Sequence, residues 1–424
     1  MKKLALSIVV LPLLLQAQTI NELFDALKNH AQTKVDIMSV EKSKVRKKMA
    51  TSALYPKVDL FASYDNYSVP TGMVSVPPNE LFSMIKDQSV AQPFSRNIYR
   101  GGGSFSMPIF VKSIYTSAKK AEVMQQSAKA KKKINLIKNE AVIVGANANL
   151  EYLQSLTKAL ELKEKSLLET KKTLRIKVNN GRSPMSALYK INDSLNEIAI
   201  TKNNIKLQKQ KIISTIKSLT GVELKSALHV KQIGSFEVGK YGSLEPLEKK
   251  LQADQISIKA EKEKLYPSLV AHGSYVFSTA DAYNNGKNVN EHYGNVGVVL
   301  KVPLLEATQY SSIALAKIES NKTRIEIEKL QDELSAKAQM LQNSLELLDN
   351  SITLYKKSIQ NKKKLLEIAK INYNSGRLST EEYLRYEDAV VAEEANLYKA
   401  KANKWQNLME LAVIYGNNIE EIVQ

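Results

Sequence analysis

Val178-Asn179-Asn180-Gly181-Arg182-Ser183-Pro184-Met185-Ser186-Ala187-Leu188-Tyr189 and Tyr373-Asn374-Ser375-Gly376-Arg377-Leu378-Ser379-Thr380-Glu381-Glu382-Tyr383-Leu384 are two versions of one segment, 195 residues apart. Each ends a long run without proline at a Gly-Arg pair, the chemistry of a helix terminus that turns back, and then restarts an apolar periodicity. The same offset relates Met107-Pro108-Ile109 to Val302-Pro303-Leu304 and Leu219-Thr220-Gly221 to Ile414-Tyr415-Gly416. A single offset held over more than 100 residues is an internal duplication.

Upstream, Leu54-Tyr55-Pro56 pairs with Leu265-Tyr266-Pro267 at an offset of 211, so the first copy carries 16 extra residues before its next proline match. The surplus falls within residues 65–97, where Pro70, Gly72, Pro77, Pro78 and Pro93 predict a loop; residues 281–291 are the shorter counterpart. Each repeat therefore reads helix, strand, loop, strand, long helix, turn, helix. The first repeat covers residues 18–221 with its strand hairpin at 58–107. A linker covers 222–243, and the second repeat covers 244–424 with its hairpin at 268–301.

Heptads fill the long runs. Leu153, Leu160, Leu167 and Leu174 mark the first, and Ile191, Ile198, Ile205, Ile212 and Leu219 mark the helix returning from Gly181. In the second copy Ile327, Leu334, Leu341, Leu348 and Tyr355 recur in sevens, with Ala338, Leu345, Ile352 and Ile359 four residues on. These are coiled-coil seams. At about 1.5 Å per residue the longest would reach about 100 Å, more than a compact domain can bury. Heptads alone do not separate a solid bundle from a tube.

Between the helices, residues 58–67, 98–107, 268–279 and 292–301 alternate with period two, each about the length of a tilted membrane-spanning strand. One face is apolar: Val58, Leu60, Ala62 and Tyr64, then Tyr99, Phe105 and Met107, then Leu269, Ala271, Tyr275 and Phe277, then Val296, Val298 and Leu300. Asp59, Ser63, Arg100, Ser104, His272, Ser274, Asn295 and Lys301 occupy the other, and Tyr67, Tyr99, Tyr275 and Tyr293 are expected at a membrane interface. Four strands cannot close a barrel, so copies must combine to remove the open edges, and three copies supply twelve strands.

The first residues, Met1-Lys2-Lys3 followed by an apolar run to Leu15 and then Gln16-Ala17-Gln18, have the layout of a secretory signal peptide spanning residues 1–17. No other stretch approaches 18 consecutive apolar residues, so any membrane crossing falls to β structure. The absence of cysteine excludes disulfides, cysteine-based metal sites and a lipidated cysteine. His30, His229, His272 and His292 lack metal-ligand spacing, and Gly101-Gly102-Gly103 lacks the lysine of a phosphate loop, so it points to close strand packing or a kink. No catalytic or cofactor-binding residues are expected, and the chain reads as no enzyme. Basic residues outnumber acidic ones 61 to 43, yet runs such as Lys131-Lys132-Lys133 and Lys362-Lys363-Lys364 lie dispersed on helices as solvated faces, which argues against nucleic acid as partner.

In the duplicated order of these features the sequence resembles the TolC-like outer membrane efflux protein family across the whole mature chain. The features are two Leu-Tyr-Pro segments leading into strand hairpins, strand exits at Met107-Pro108-Ile109-Phe110 and Val302-Pro303-Leu304-Leu305, and two Gly-Arg turns followed by helices. The resemblance implies a mainly α fold with a small β part. Four transmembrane strands per chain would close a twelve-stranded β-barrel in a homotrimer, above a coiled-coil helical tunnel through the periplasm of a Gram-negative cell.

It implies a passive conduit of a tripartite efflux or type I secretion system, partnered by outer-membrane lipid, a periplasmic adaptor and, indirectly, an inner-membrane pump. It places Gly181, Arg182, Gly376 and Arg377 at the periplasmic tip where the adaptor docks, and residues 222–243 in an equatorial belt with the two chain ends. Two acidic constriction residues of the family's best-known type fall on Glu382 and Arg385, and their first-repeat equivalents are Ala187 and Lys190. The departure argues against a purely acidic gate; Lys190, Glu382 and Arg385 are the candidate constriction, where threefold rings of Arg385 and Lys190 would favour anions or hold the gate through Arg385–Glu382 pairs. The other reading of the same heptads is a soluble periplasmic coiled-coil adaptor or structural rod. A basic nucleic-acid-binding coiled coil is a third, which the export signal and scattered lysines argue against.

Overall fold

The structure, a computed structural model, describes residues 19–424. The signal-peptide segment, residues 1–17, lies outside the described residues. In chain order the elements are α1 (Ile20–Asn29), α2 (Ala31–Ser52), β1 (Lys57–Gly72), α3 (Pro78–Lys86), β2 (Phe94–Phe110), α4 (Lys112–Asn179) and α5 (Met185–Thr220). A 3-10 turn (Gly242–Leu244) then leads into α6 (Glu245–Glu263), β3 (Ser268–Asp281), β4 (Asn288–Lys301), α7 (Ala307–Asn374), α8 (Thr380–Tyr415) and α9 (Ile419–Ile422). The chain forms two compact units. One comprises the described residues up to Val40 with Lys129–Pro246 and Ile327–Gln424, and the other comprises Glu41–Ala128 with Leu247–Glu326.

In the first unit the heptads are realised as packing. Leu153, Leu160, Leu167 and Leu174 of α4 are buried against Ile191, Ile198 and Ile205 of α5 in one continuous seam. Burying a leucine of this kind contributes about 1.5–3 kcal/mol, so packing along the seam, more than intrinsic propensity, stabilises the hairpin. A second core gathers Leu23, Phe24 and Leu27 of α1 with Ile143 and Leu150 of α4, Ile216 of α5, Met409 of α8 and Ile422 of α9. The segment between the repeats joins it: Lys231 and Gln424 exchange backbone hydrogen bonds of 2.8 and 3.0 Å, and Gln232 bridges to Val423. The inter-repeat segment and both described ends of the chain therefore meet in one core.

The second unit holds a four-stranded antiparallel sheet in the order β1-β2-β3-β4, with β1 and β4 as its edges. The strands run a few residues beyond the expected spans at the ends that carry the loops, and the segment read from its prolines as a loop contains α3. The reason is local: Pro78 occupies the first helical turn, where its missing N–H costs nothing. The triple glycine is a close-packing device. A Cβ on Gly102 would stand 2.2 Å from the carbonyl oxygen of Tyr275, and the Phe61 ring covers the gap. Phe105 lies over Gly273 and Tyr275 over Gly294 in the same way, each ring shielding the backbone of its cross-strand glycine.

Candidate functional site

Both helix turns are Schellman motifs. Arg182 N–H donates to the Lys177 carbonyl (2.8 Å) and Gly181 N–H to that of Val178 (2.9 Å); Arg377 and Gly376 repeat the pattern on Asn372 (2.9 Å) and Tyr373 (3.1 Å). Gly181 and Gly376 sit at φ of 69° and 76°, the left-handed region that a side chain resists, which explains glycine at both positions. All four turn residues are exposed. The restart differs between copies. Pro184 precedes α5 without a side-chain cap, whereas Ser379 and Glu382 form a reciprocal capping box at α8. Glu382 accepts from the Ser379 hydroxyl (2.7 Å) and N–H (3.0 Å), and these bonds hold its carboxyl below the usual range.

This corrects the expected Arg385–Glu382 pair. Arg385 donates instead to Glu381 at 3.1 Å, one helical turn back, and Lys190 of α5 binds the same Glu381 carboxylate. Hydrogen bonding and charge from Lys190, then from Arg385, lower the Glu381 carboxyl. Lys190, Glu381 and Arg385 thus form one cluster with a net positive charge, and Glu382 is held in the capping box beside it. Ala187 packs on the α4–α5 seam. Glu381 was missed as a cluster member because its partner Lys190 is 191 residues away.

Below this cluster α8 buries polar groups against α4. Tyr383 donates to Glu387 at 2.9 Å, Ser166 of α4 donates to the same carboxylate, and Lys163 pairs with Asp388. Burial raises the Glu387 carboxyl and pushes Tyr383 up to about 12. The Tyr383 ring stacks on Tyr373 with centroids 4.9 Å apart, and Lys177 lies 5.3 Å over Tyr373. The i, i+4 spacing of Tyr383 and Glu387 within an apolar helix face was the available signal for this network.

On the sheet, the register places the expected apolar residues together: Val58 opposes Phe105, Tyr64 opposes Tyr99, and Ala271 opposes Val298. That face is open, with Leu60 86% and Val296 83% exposed. The other face aligns Asp59, Ser104, Ser274 and Asn295 across all four strands, and Arg100 pairs with Asp65 at 2.6 Å. Tyr99 and Tyr275 lie on the apolar face. Tyr293 pairs with Val276 on the polar side, and Tyr67 takes a 3.0 Å hydrogen bond from Arg100 there, so the four expected interface tyrosines divide between the two faces. Among the described residues no helix is long and apolar enough to cross a membrane, and no group of acidic and histidine side chains could hold a metal ion.

In chain order each repeat carries a strand hairpin followed by a long helical hairpin, and the sheet has one apolar and one polar face. Residues 243–417 match the family model described as outer membrane efflux protein. The structure is similar to the CmeC outer membrane channel of Campylobacter jejuni, with a TM-score of 0.77 and 17% identity over 94% of this chain and 85% of that one. It is similar to VceC of Vibrio cholerae, with a TM-score of 0.76 and 12% identity over 94% of this chain and 96% of that one. The open-state MtrE outer membrane channel of Neisseria gonorrhoeae gives 0.72 and 15% identity over 96% and 90%. No curated protein matches the sequence.

Proposed function

We propose that the protein is the outer-membrane channel subunit of a tripartite efflux or type I secretion system in a Gram-negative cell. Three copies join sheet edges β1 and β4 into a twelve-stranded barrel. The observation that carries this is the sheet: an apolar face open along four strands, a hydrogen-bonded polar face behind it, and two unpaired edges on one chain. Lipid satisfies the first, a watery lumen the second, and neighbouring copies the third. A soluble adaptor or rod has no use for such a face.

In this reading the helical hairpins form the wall of a passive periplasmic conduit, without cofactor or catalysis, and energy comes from an inner-membrane pump. The turns at Gly181-Arg182 and Gly376-Arg377 are the tip that meets a periplasmic adaptor. Lys190 and Arg385, bridged by Glu381 and flanked by the capped Glu382, line its constriction. The test is native mass of the detergent-extracted protein before and after heating, with membrane fractionation. A heat-sensitive trimer retained in outer membranes after a high-salt wash is expected; a salt-extractable monomer or dimer would overturn the reading.

A further inference from the structure

A cavity of 600 Å³ lies within the first unit, bounded by α4, α7, α8 and the inter-repeat segment at Val230 and Gln232. Its volume is in the range of small-molecule sites. The chain's one tryptophan, Trp405, lines it together with Tyr152 and Tyr398. Trp405 also packs on the apolar core, so its indole is fixed from behind while it borders the cavity. Tyr152 of α4 and Tyr398 of α8 add aromatic surface from two further points of the chain.

The charges around these rings are unbalanced. Lys404 is neutralised by Asp349 at 2.5 Å. The Lys401 ammonium lies 4.9 Å over the Tyr398 ring. Lys356 joins Lys401 on the lining, against Glu151 as the remaining acid. A flat aromatic ring carrying a negative group matches this lining on both counts. The ring stacks on indole or phenol, and the anion takes charge-assisted hydrogen bonds from ammonium groups. A cation would meet surplus positive charge, and a neutral ring would leave the ammonium groups without the anion they favour.

We propose that this cavity binds a small organic anion built on an aromatic ring, with a carboxylate or sulfonate toward Lys356 and Lys401 and the ring against Trp405. The site joins α4, α7 and α8, so an occupant ties the two helical hairpins together at this level. The proposal does not rest on the channel reading, because every residue it uses belongs to one compact unit of the chain.

Because Trp405 is the only tryptophan, its emission reports on this site alone. The full chain in detergent is titrated with 2-naphthoate at pH 7, and neutral 2-naphthamide serves as the control for partition into micelles. Saturable quenching by the carboxylate is expected, with at least tenfold weaker binding of the amide. Lys356→Ala and Lys401→Ala are each expected to weaken naphthoate binding at least tenfold. Lys329→Ala, an exposed lysine of α7 outside the cavity, should leave it unchanged. Circular dichroism checks that each variant keeps its helices. Absence of saturable quenching, equal binding of acid and amide, or indifference to both cavity lysines would overturn the proposal.

Discussion

The α4–α5 seam and the outer row of α7 carry the same heptad spacing and meet opposite fates. Both hairpins are built from helices of 68 and 36 residues, so length does not distinguish them. Leu153, Leu160, Leu167 and Leu174 are buried within the chain, Leu167 completely. On α7, Met340, Leu347, Leu354 and Ile368 stay on the surface, with Leu347 66% exposed. One row is satisfied by this chain and the other asks for a further one. Exposed apolar residues in isolation need no explanation, but three consecutive heptad positions, resumed at Ile368 after Asn361, do.

The sharpest way to break that comparison is one truncation in each row. Leu167→Ala should destabilise the chain by about 2–5 kcal/mol, the usual range for a buried leucine, read as a large fall in the denaturation midpoint. Leu347→Ala should cost the isolated chain no more than about 0.5 kcal/mol. The double variant Leu347→Lys with Leu354→Lys should keep its helical circular dichroism yet lose the proposed trimer in native mass measurements. If the trimer survives those lysines, the outer row is not where copies meet.

The second contrast lies across the α4–α8 contact. The buried seam of the first hairpin is aliphatic, with Lys202–Glu164 and Lys209–Thr157 contacts beside it, whereas α8 buries the Glu387 carboxylate, whose partners are Ser166 and Tyr383, with Lys163 and Asp388 nearby. Burial raises this group above its usual 4.5, so the folded chain holds the proton more tightly than the unfolded chain does. Stability from this site is therefore greatest below pH 4.5 and falls as pH rises through the elevated folded value. Glu387→Gln keeps both hydrogen-bond partners and cannot ionise. Its melting temperature should lose that part of the pH slope while the wild type keeps it; parallel slopes would show that the carboxylate is solvated.

Smaller still is the difference between the two turns. Ser379→Ala removes the capping box of α8 and should cost about 1 kcal/mol, seen as faster proteolysis at the turn and a lower denaturation midpoint. Ser183→Ala, beside the uncapped Pro184, should change neither. Equal effects at both turns would mean that the box contributes nothing beyond the Schellman motifs they share.

What was legible in the sequence was periodic or local. The seams follow from a period of seven, the strand faces from a period of two, and the turns from Gly181 and Gly376. Tyr293 shows what residue type alone leaves out: parity with Val296 and Val298 sets it on the opposite face. Helix α3 was hidden because Pro77 and Pro78 read as breakers, although proline at a helix start is an initiator. The Glu381 cluster and the Trp405 cavity were out of reach for another reason. Each joins residues from α4, α5, α7 or α8 that no spacing connects, and only the packing of the hairpins brings them together.

The Glu381 cluster gives the finest test, because its effect on stability should be below detection while its effect on conduction should not. Lys190, Glu381 and Arg385 are exposed, and pairs of that kind are screened by water and salt. Their charge still matters wherever ions pass nearby, since each copy contributes two cations against one carboxylate and the proposed trimer would repeat the excess three times. Lys190→Ala combined with Arg385→Ala leaves Glu381 unneutralised and reverses the sign of the cluster. In planar bilayers the reversal potential under a salt gradient should move toward cation preference, with the melting temperature unchanged. Arg385→Ala alone should move it by less, because Lys190 still holds Glu381. An unmoved reversal potential in the double variant would place these side chains away from the ion path and leave Lys190 and Arg385 as solvated helix charges.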